Sequence, residues 1–420
     1  MAFIALLAAH AQTDALTLAG AKQLAFERNW DLLAAKSGID AAQAQLIVAR
    51  EFPNPTASIS TAKIGDRESG TSMGNGLWER NYDSIAAVSQ LIEIGGKRHD
   101  RQLAARAGVT GARAAFFDAR RLLDQGVTKA YVAAVLAGDN ARILNESAGY
   151  LRHEADLAEV KFRAGAISDS DKKQIEISAE QFELQARSAD AAAAQARIAV
   201  EILLGEKQPQ GNWTPANSLD RLSTTPPTGT NELRPQVERP DVIVADANLK
   251  SSVANLKLQK AMRIPDPTIS IGGEHNPPGG GPPVDTLNIG VSFPLPLWNR
   301  NGGEIKAAEA ARAQAELALE KAQAQVQADI ANAGSEYDEA AQRWQRYRDQ
   351  TVPKSAKVRE SVAFAYEKGG ASLVDLLEAE RTDNDVRLAA AQAQADTASA
   401  TADVQAAQNV LTETELNSAK

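Results

Sequence analysis

The stretch that opens Gly95-Gly96-Lys97-Arg98-His99-Asp100 and ends near Leu204 decides the fold. From Gly95 to about Val160 it holds no proline and is rich in Ala, Gln, Arg, Glu and Leu, which are strong helix formers. A helix of roughly 65 residues is about 100 Å long, deeper than any ordinary globular core. The pattern breaks at Phe162-Arg163-Ala164-Gly165-Ala166-Ile167-Ser168-Asp169-Ser170-Asp171, where glycine can end one helix and the Ser/Asp cluster can cap the next. Residues 97–204 are therefore expected to form a long antiparallel helical hairpin with its tip near Gly165.

Upstream, Thr17 to Arg50 reads as helix and stops at Phe52-Pro53-Asn54-Pro55, because proline removes a donor and biases its predecessor away from helical angles. Residues 56–64 and 83–94 read as two strands around a polar, glycine-containing loop. After the hairpin, 206–237 carries Pro209, Pro215, Pro226, Pro227 and Pro235 and reads as a linker or small irregular segment. Then the programme restarts. Arg239-Pro240-Asp241 opens a helix as Arg28-Asn29-Trp30-Asp31 did, and Ile264-Pro265-Asp266-Pro267-Thr268-Ile269-Ser270-Ile271 repeats Phe52-Pro53-Asn54-Pro55-Thr56-Ala57-Ser58-Ile59. Strands at 268–274 and 286–297 flank a Gly/Pro-rich loop, and Gly302-Gly303 matches the earlier glycine pair. A second long helix, kinked at Pro353, leads to Phe364-Ala365-Tyr366-Glu367-Lys368-Gly369-Gly370-Ala371-Ser372-Leu373-Val374-Asp375, which copies the first tip. The second hairpin spans 303–411 with its tip near Gly369. The order helix, strand, strand, long helix, helix is thus written twice, over 12–205 and 238–412, with 413–420 as a tail.

Composition narrows the function. The charge of −9 argues against a nucleic-acid binder. Cysteine is absent, so there is no disulfide or thiolate metal site, and the four histidines, His10, His99, His153 and His275, are too few for an imidazole cage. No HExxH, Walker lysine loop or GxSxG elbow occurs, so no enzyme and no cofactor is indicated. His275 beside Glu274, in the expected outer loop, is at most a weak metal contact. The apolar run Phe3–Ala9 followed by Ala9-His10-Ala11 reads as a secretory signal remnant over 1–11.

No run of 18 apolar residues occurs, so any membrane crossing falls to the strands. Two strand pairs cannot close a barrel, because every backbone group in lipid must be paired. Three copies would supply twelve strands, an even number within the range of outer-membrane barrels. Trp78 and Tyr82 flank the outer loop, and Phe52, Phe293 and Trp298 lie at the other strand ends, as two interfacial girdles would.

The duplicated layout, from Leu16 to Leu411, resembles the TolC family of outer-membrane efflux proteins. Gln90-Leu91-Ile92-Glu93-Ile94-Gly95-Gly96-Lys97-Arg98 and Phe293-Pro294-Leu295-Pro296-Leu297-Trp298-Asn299-Arg300-Asn301-Gly302-Gly303 are most similar to the CzcC-type branch serving cobalt, zinc, cadmium and nickel pumps. The resemblance implies a mainly α protein with transmembrane β. It would be a homotrimer whose twelve-stranded outer-membrane barrel continues as a twelve-helix tunnel in the periplasm of a Gram-negative bacterium. It also implies a periplasmic adaptor, met by tips at Gly165, Ser168, Asp171, Gly369 and Ser372, and a proton-driven inner-membrane pump of the RND type. The family's periplasmic gate matches Asp375, Glu378 and Tyr366, while its latch arginine is replaced by Ala371, leaving Arg163 or Lys368 as substitutes. Asp375 and Glu378 also fit a plainer role as solvated helix cap and surface, and Asp171 fits a cap. Carboxylates gathered by threefold symmetry would repel one another and attract cations. Two other functions remain open on these residues, a duct for drugs or organic molecules and a soluble coiled-coil scaffold.

Overall fold

The computed structural model describes residues 15–62, 83–223, 239–276 and 284–408. The chain order is β1 (Ala15–Leu16), α1 (Leu18–Arg28), α2 (Trp30–Arg50), β2 (Thr56–Ala62), β3 (Asp83–Leu91), α3 (Lys97–Arg163), α4 (Asp169–Leu203), β4 (Thr214–Pro215), α5 (Leu219–Ser223), α6 (Pro240–Ala261), β5 (Thr268–Asn276), β6 (Val284–Ser292), α7 (Gly302–Arg346), a π-helical turn (Tyr347–Thr351), α8 (Val352–Glu367) and α9 (Leu373–Ala407). The signal-like start, the loop holding Trp78 and Tyr82, and the tail lie outside the described residues. Contacts divide the chain into two compact units that cut across both repeats. One holds described residues up to Ser37, from Ala115 to Pro240 and from Gln323 on. The other holds Gly38–Ala114 and Asp241–Ala322.

The first unit is helical. Along α4, Ile175, Ala179, Phe182, Ala186, Ala189, Ala193, Ala196 and Val200 recur at alternating steps of four and three and are buried or half-buried. That spacing is a coiled-coil seam, and its small side chains let helices approach closely. On α3, Ala148, Leu151, Ala155 and Ala158 supply the matching stripe, with Leu373, Leu377 and Leu388 of α9 against it. A second core centres on Tyr131, fully buried, whose ring stacks on Trp213 at 5.8 Å and whose hydroxyl donates to Leu16 O at 2.7 Å. The expected linker is therefore partly core: β4 pairs in parallel with β1, and α5 packs on α9, where Gln394 Nε2 donates to Asp220 Oδ1 at 2.5 Å.

One helix expected to be continuous is interrupted, and the kink expected at Pro353 takes the form of a π turn, each for a local reason. Asn29 leaves the helical region at ψ 128, and its side chain accepts from Leu32 N and donates to Leu203 O, so Thr17–Arg50 becomes α1 and α2. Proline at 353 has no N–H to give and its ring crowds the carbonyl four residues back. The chain answers with the π turn, in which Val352 N reaches back to Tyr347 O, before α8 resumes.

The second unit holds a four-stranded antiparallel sheet in the order β2-β3-β5-β6. β6 ends at Ser292 rather than reaching 297, because Pro294 and Pro296 cannot donate to a ladder. β3 ends at Leu91, and Ile94 N is instead capped by Asp266 Oδ1 at 2.9 Å. Asp266 also holds Lys97 Nζ at 2.7 Å, and that ammonium, 4% exposed, donates to Ile264 O at 2.6 Å. The GGKR and PDP motifs thus meet in one buried ion pair. The duplicated glycines are not used alike: Gly95 and Gly96 have φ 75 and 79, whereas in the second repeat the left-handed residue is Asn301, at φ 59, and Gly302 already begins α7. Asp266→Ala strands the Lys97 ammonium and is expected to cost about 3 kcal/mol, while Lys97→Met with Asp266→Leu should cost less. Urea unfolding checks this, and a double variant no more stable than the single would reject the pair as an anchor.

Candidate functional site

The sheet's register sorts its side chains by chemistry. Residues paired across antiparallel strands share a face. One face carries the rows Ala57–Val88–Ile271–Ile289, Ile59–Ala86–Gly273–Leu287 and Gln90–Ile269–Val291. The opposite face carries Thr56–Ser89–Ser270–Gly290, Ser58–Ala87–Gly272–Asn288 and Ser60–Ile85–Glu274–Thr286. The apolar side chains are open to the surroundings: Ile59 is 86% exposed and Ile289 71%. Alternation of apolar and polar faces is what a strand between lipid and an aqueous lumen requires. β2 and β6 form the two edges of this sheet.

His275 lies within β5, not in a loop, at the end of the apolar face, and its Nδ1 is 2.7 Å from Asp285 Oδ1. On the polar face Glu274 Oε2 accepts from Asn288 Nδ2 at 3.0 Å. Among the described residues no group of three or more His, Cys, Asp or Glu side chains could hold a metal ion. Phe52, Phe293 and Trp298 are 68%, 57% and 94% exposed, and the Arg98 guanidinium lies 3.7 Å from the Phe52 ring centre.

In the helical unit the two tips are built identically. Gly165 and Gly369 adopt φ 71 and 76, and the residue after each donates to the carbonyl five back, Ala166 N to Lys161 O and Gly370 N to Ala365 O. That is the Schellman ending. Ser168 and Ser372 then open α4 and α9 with reciprocal capping boxes to Asp171 and Asp375. Asp375 is thus engaged as a cap, with its Oδ2 accepting from Ser372 Oγ at 2.7 Å and Ser372 N at 2.9 Å. Those bonds, the hydroxyl's first, hold its carboxyl below the usual range. Glu378 is exposed on α9.

Tyr366 does not meet either expected substitute for the missing arginine. Arg163 pairs with Glu159 at 2.8 Å and Lys368 with Glu367 at 2.8 Å. Lys161 of α3 instead places its ammonium 4.8 Å from the centre of the Tyr366 ring on α8. Two further ties join α3 to α9: Ser147 Oγ donates to Asn384 Oδ1 at 3.1 Å, and Arg387 Nη2 meets Glu146 Oε2 at 2.5 Å. Glu380 and Asp383, which the tip motif does not include, are 5% and 4% exposed on α9 beside Arg359. The repeat itself signals Asp383, which stands where the first tip's spacing puts Ala179, but not Glu380, which stands opposite Glu176.

The family model for outer membrane efflux proteins matches residues 21–206 and 235–410. The cobalt-zinc-cadmium resistance protein CzcC of Cupriavidus metallidurans is 26% identical over 370 residues, 87% of this chain and 84% of that protein. The probable outer membrane lipoprotein SilC of Salmonella typhimurium is 23% identical over 377 residues, 85% and 78% of the two chains. The solved outer membrane protein VceC of Vibrio cholerae superposes with a TM-score of 0.72 at 18% identity, covering 93% of this chain and 95% of that one.

The cap gives a pH dependence with a definite sign. Because folding lowers the Asp375 pKa, the cap's contribution is complete above the ordinary carboxylate value and fades as pH falls through the lowered one. Ser372→Ala should raise amide exchange in the first turn of α9 several-fold at neutral pH and weaken the acid-induced fraying of that turn, the backbone bond to Asp375 Oδ2 remaining. Exchange measured against Ser168→Ala, which alters only the first tip, checks this.

Proposed function

Because this chain belongs to the outer membrane efflux protein family, we propose that it is the exit duct of a tripartite efflux system that passes divalent heavy-metal cations outward. It is an outer-membrane efflux channel, and the family is one of conduits rather than catalysts. The observation that carries the finer reading is the unfinished sheet. One face is apolar, the other polar, and both edges, Thr56–Ala62 and Val284–Ser292, await partners. Hydrocarbon leaves no water to satisfy those edges, so closure by sister chains is required. Three chains give twelve strands and six helical hairpins.

The cargo reading rests on the metal-resistance relative CzcC and on the acidic tips. Three copies of Asp375 and Glu378 gathered at a narrow end favour cations over anions, and Tyr366 under Lys161 holds the second hairpin to the first. The tips carrying Gly165, Ser168, Asp171, Gly369 and Ser372 are the surface offered to a periplasmic adaptor, through which a proton-driven inner-membrane pump delivers the ion.

The chain lacks cysteine, so engineered thiols report without background. Pairs of cysteines scanned along β2 and β6 should cross-link into covalent trimers in outer membranes, and a ladder ending at dimers would reject threefold closure. In planar bilayers Asp375→Asn with Glu378→Gln should reduce cation preference several-fold without changing conductance in high salt, where charges are screened. Unaltered selectivity would reject the acidic gate. Deletion should lower tolerance of cobalt, zinc, cadmium or nickel in a strain without redundant channels, and unchanged metal tolerance with lost drug tolerance would reassign the cargo.

A further inference from the structure

The second hairpin buries acid that the duct reading does not use. Along α9, Leu376, Glu380, Asp383, Arg387, Ala390 and Gln394 recur at alternating steps of four and three, so Glu380 and Asp383 occupy consecutive seam positions. The cation facing them is Arg359 of α8, 3.5 Å from Glu380 Oε1 and 3.3 Å from Asp383 Oδ2, with its side chain 37% exposed. Asp383 Oδ1 accepts from Ser355 Oγ at 2.8 Å, whereas Glu380 Oε1 accepts no hydrogen bond among the described residues. The remaining titratable groups around Glu380 add negative charge or none. Among the described residues they are Glu154 and Tyr150 from α3. Two carboxylates thus share one half-exposed guanidinium, beside the Ser147–Asn384 and Glu146–Arg387 ties that join α9 to α3.

We propose that Glu380 is a proton-operated catch: protonated, it lets α9 pack against α8 and α3, and ionised, it forces that packing to loosen. The effect on conduction rests on the duct reading; the effect on packing does not. Burial pushes the Glu380 carboxyl above its ordinary value, Arg359 pulls against that rise, and Asp383 and Glu154 reinforce it. Tyr150, in the same surroundings, is pushed up to about 12, by burial first and then by Glu154 and Glu380. The packed state therefore holds its proton more tightly than a released one. Packing is complete below the ordinary carboxylate pKa and weakens as pH rises through the raised value.

Ser147→Cys puts a single thiol on α3 against Asn384, and Ala164→Cys gives an exposed control at the tip. In full-length protein in lipid vesicles, maleimide labelling of the first relative to the second should rise with pH. The rise is about tenfold for each unit separating the packed and released pKa of Glu380. Glu380→Gln should keep labelling low at every pH, and Arg359→Gln, which removes the group pulling the pKa down, should move the rise to higher pH. A rise that survives Glu380→Gln unchanged overturns the catch, as does a pH-independent thiol in the parent. Bilayer conductance separates the two readings. Conductance that climbs with pH in the parent and not in Glu380→Gln supports a catch acting in a duct. No conductance in any variant overturns the duct, while the thiol still decides the catch.

Discussion

A backbone amide facing hydrocarbon without a partner costs several kcal/mol, and an open sheet has a row of such groups along each edge. The four strands of this chain form a sheet with apolar rows on one side, polar rows on the other and two edges left over. Such a sheet is stable neither in water, where the isoleucines and valines of the apolar face are exposed, nor alone in lipid, where the edges are. Closure by sister chains in lipid, as proposed, would remove both costs at once. Within the same unit Lys97 buries its charge on Asp266 directly where α3 begins.

The helical unit solves a different problem with different residues. Its seams are spaced for coiled coils, but alanine fills many of the positions that leucine or isoleucine would occupy in an isolated one. Alanine contributes little apolar area, so these helices gain more from close approach than from burial. Specificity then comes from polar side chains set into the seam of α9: Glu380, Asp383, Gln394, Thr397 and Thr401. Thr397 and Thr401 are satisfied within α9 by the carbonyls four residues back, but Asp383 needs Ser355 and Arg359 of α8 and Gln394 needs Asp220 of α5, and a slip in register would strand both.

Much of this was legible because the chain says everything twice. The Pro-x-Pro approach to each first strand and the Gly-x-x-Ser-x-x-Asp tips located strands and turns, and the tips fold with the same bonds. Reading was least accurate where a side chain's role depends on a distant segment. Asn29 interrupts a helix of good local propensity because Leu203 offers its carbonyl, and residues 206–223 look like a spacer until Trp213 meets Tyr131. The expected gate residues Asp375 and Glu378 are exposed in the single chain, Asp375 as the cap of α9. The buried acids a turn or two further on escaped notice, since burial is a property of the packed helices and not of spacing in one of them.

The π turn at Tyr347–Thr351 makes the two hairpins unequal. Its wide register breaks the regular hydrogen-bond ladder between α7 and the 16 residues of α8, just before Pro353. The outgoing helix of the first hairpin, α3, runs 67 residues without such a joint. Of the two arms that duplication made alike, one runs unbroken to its tip and the other carries a joint.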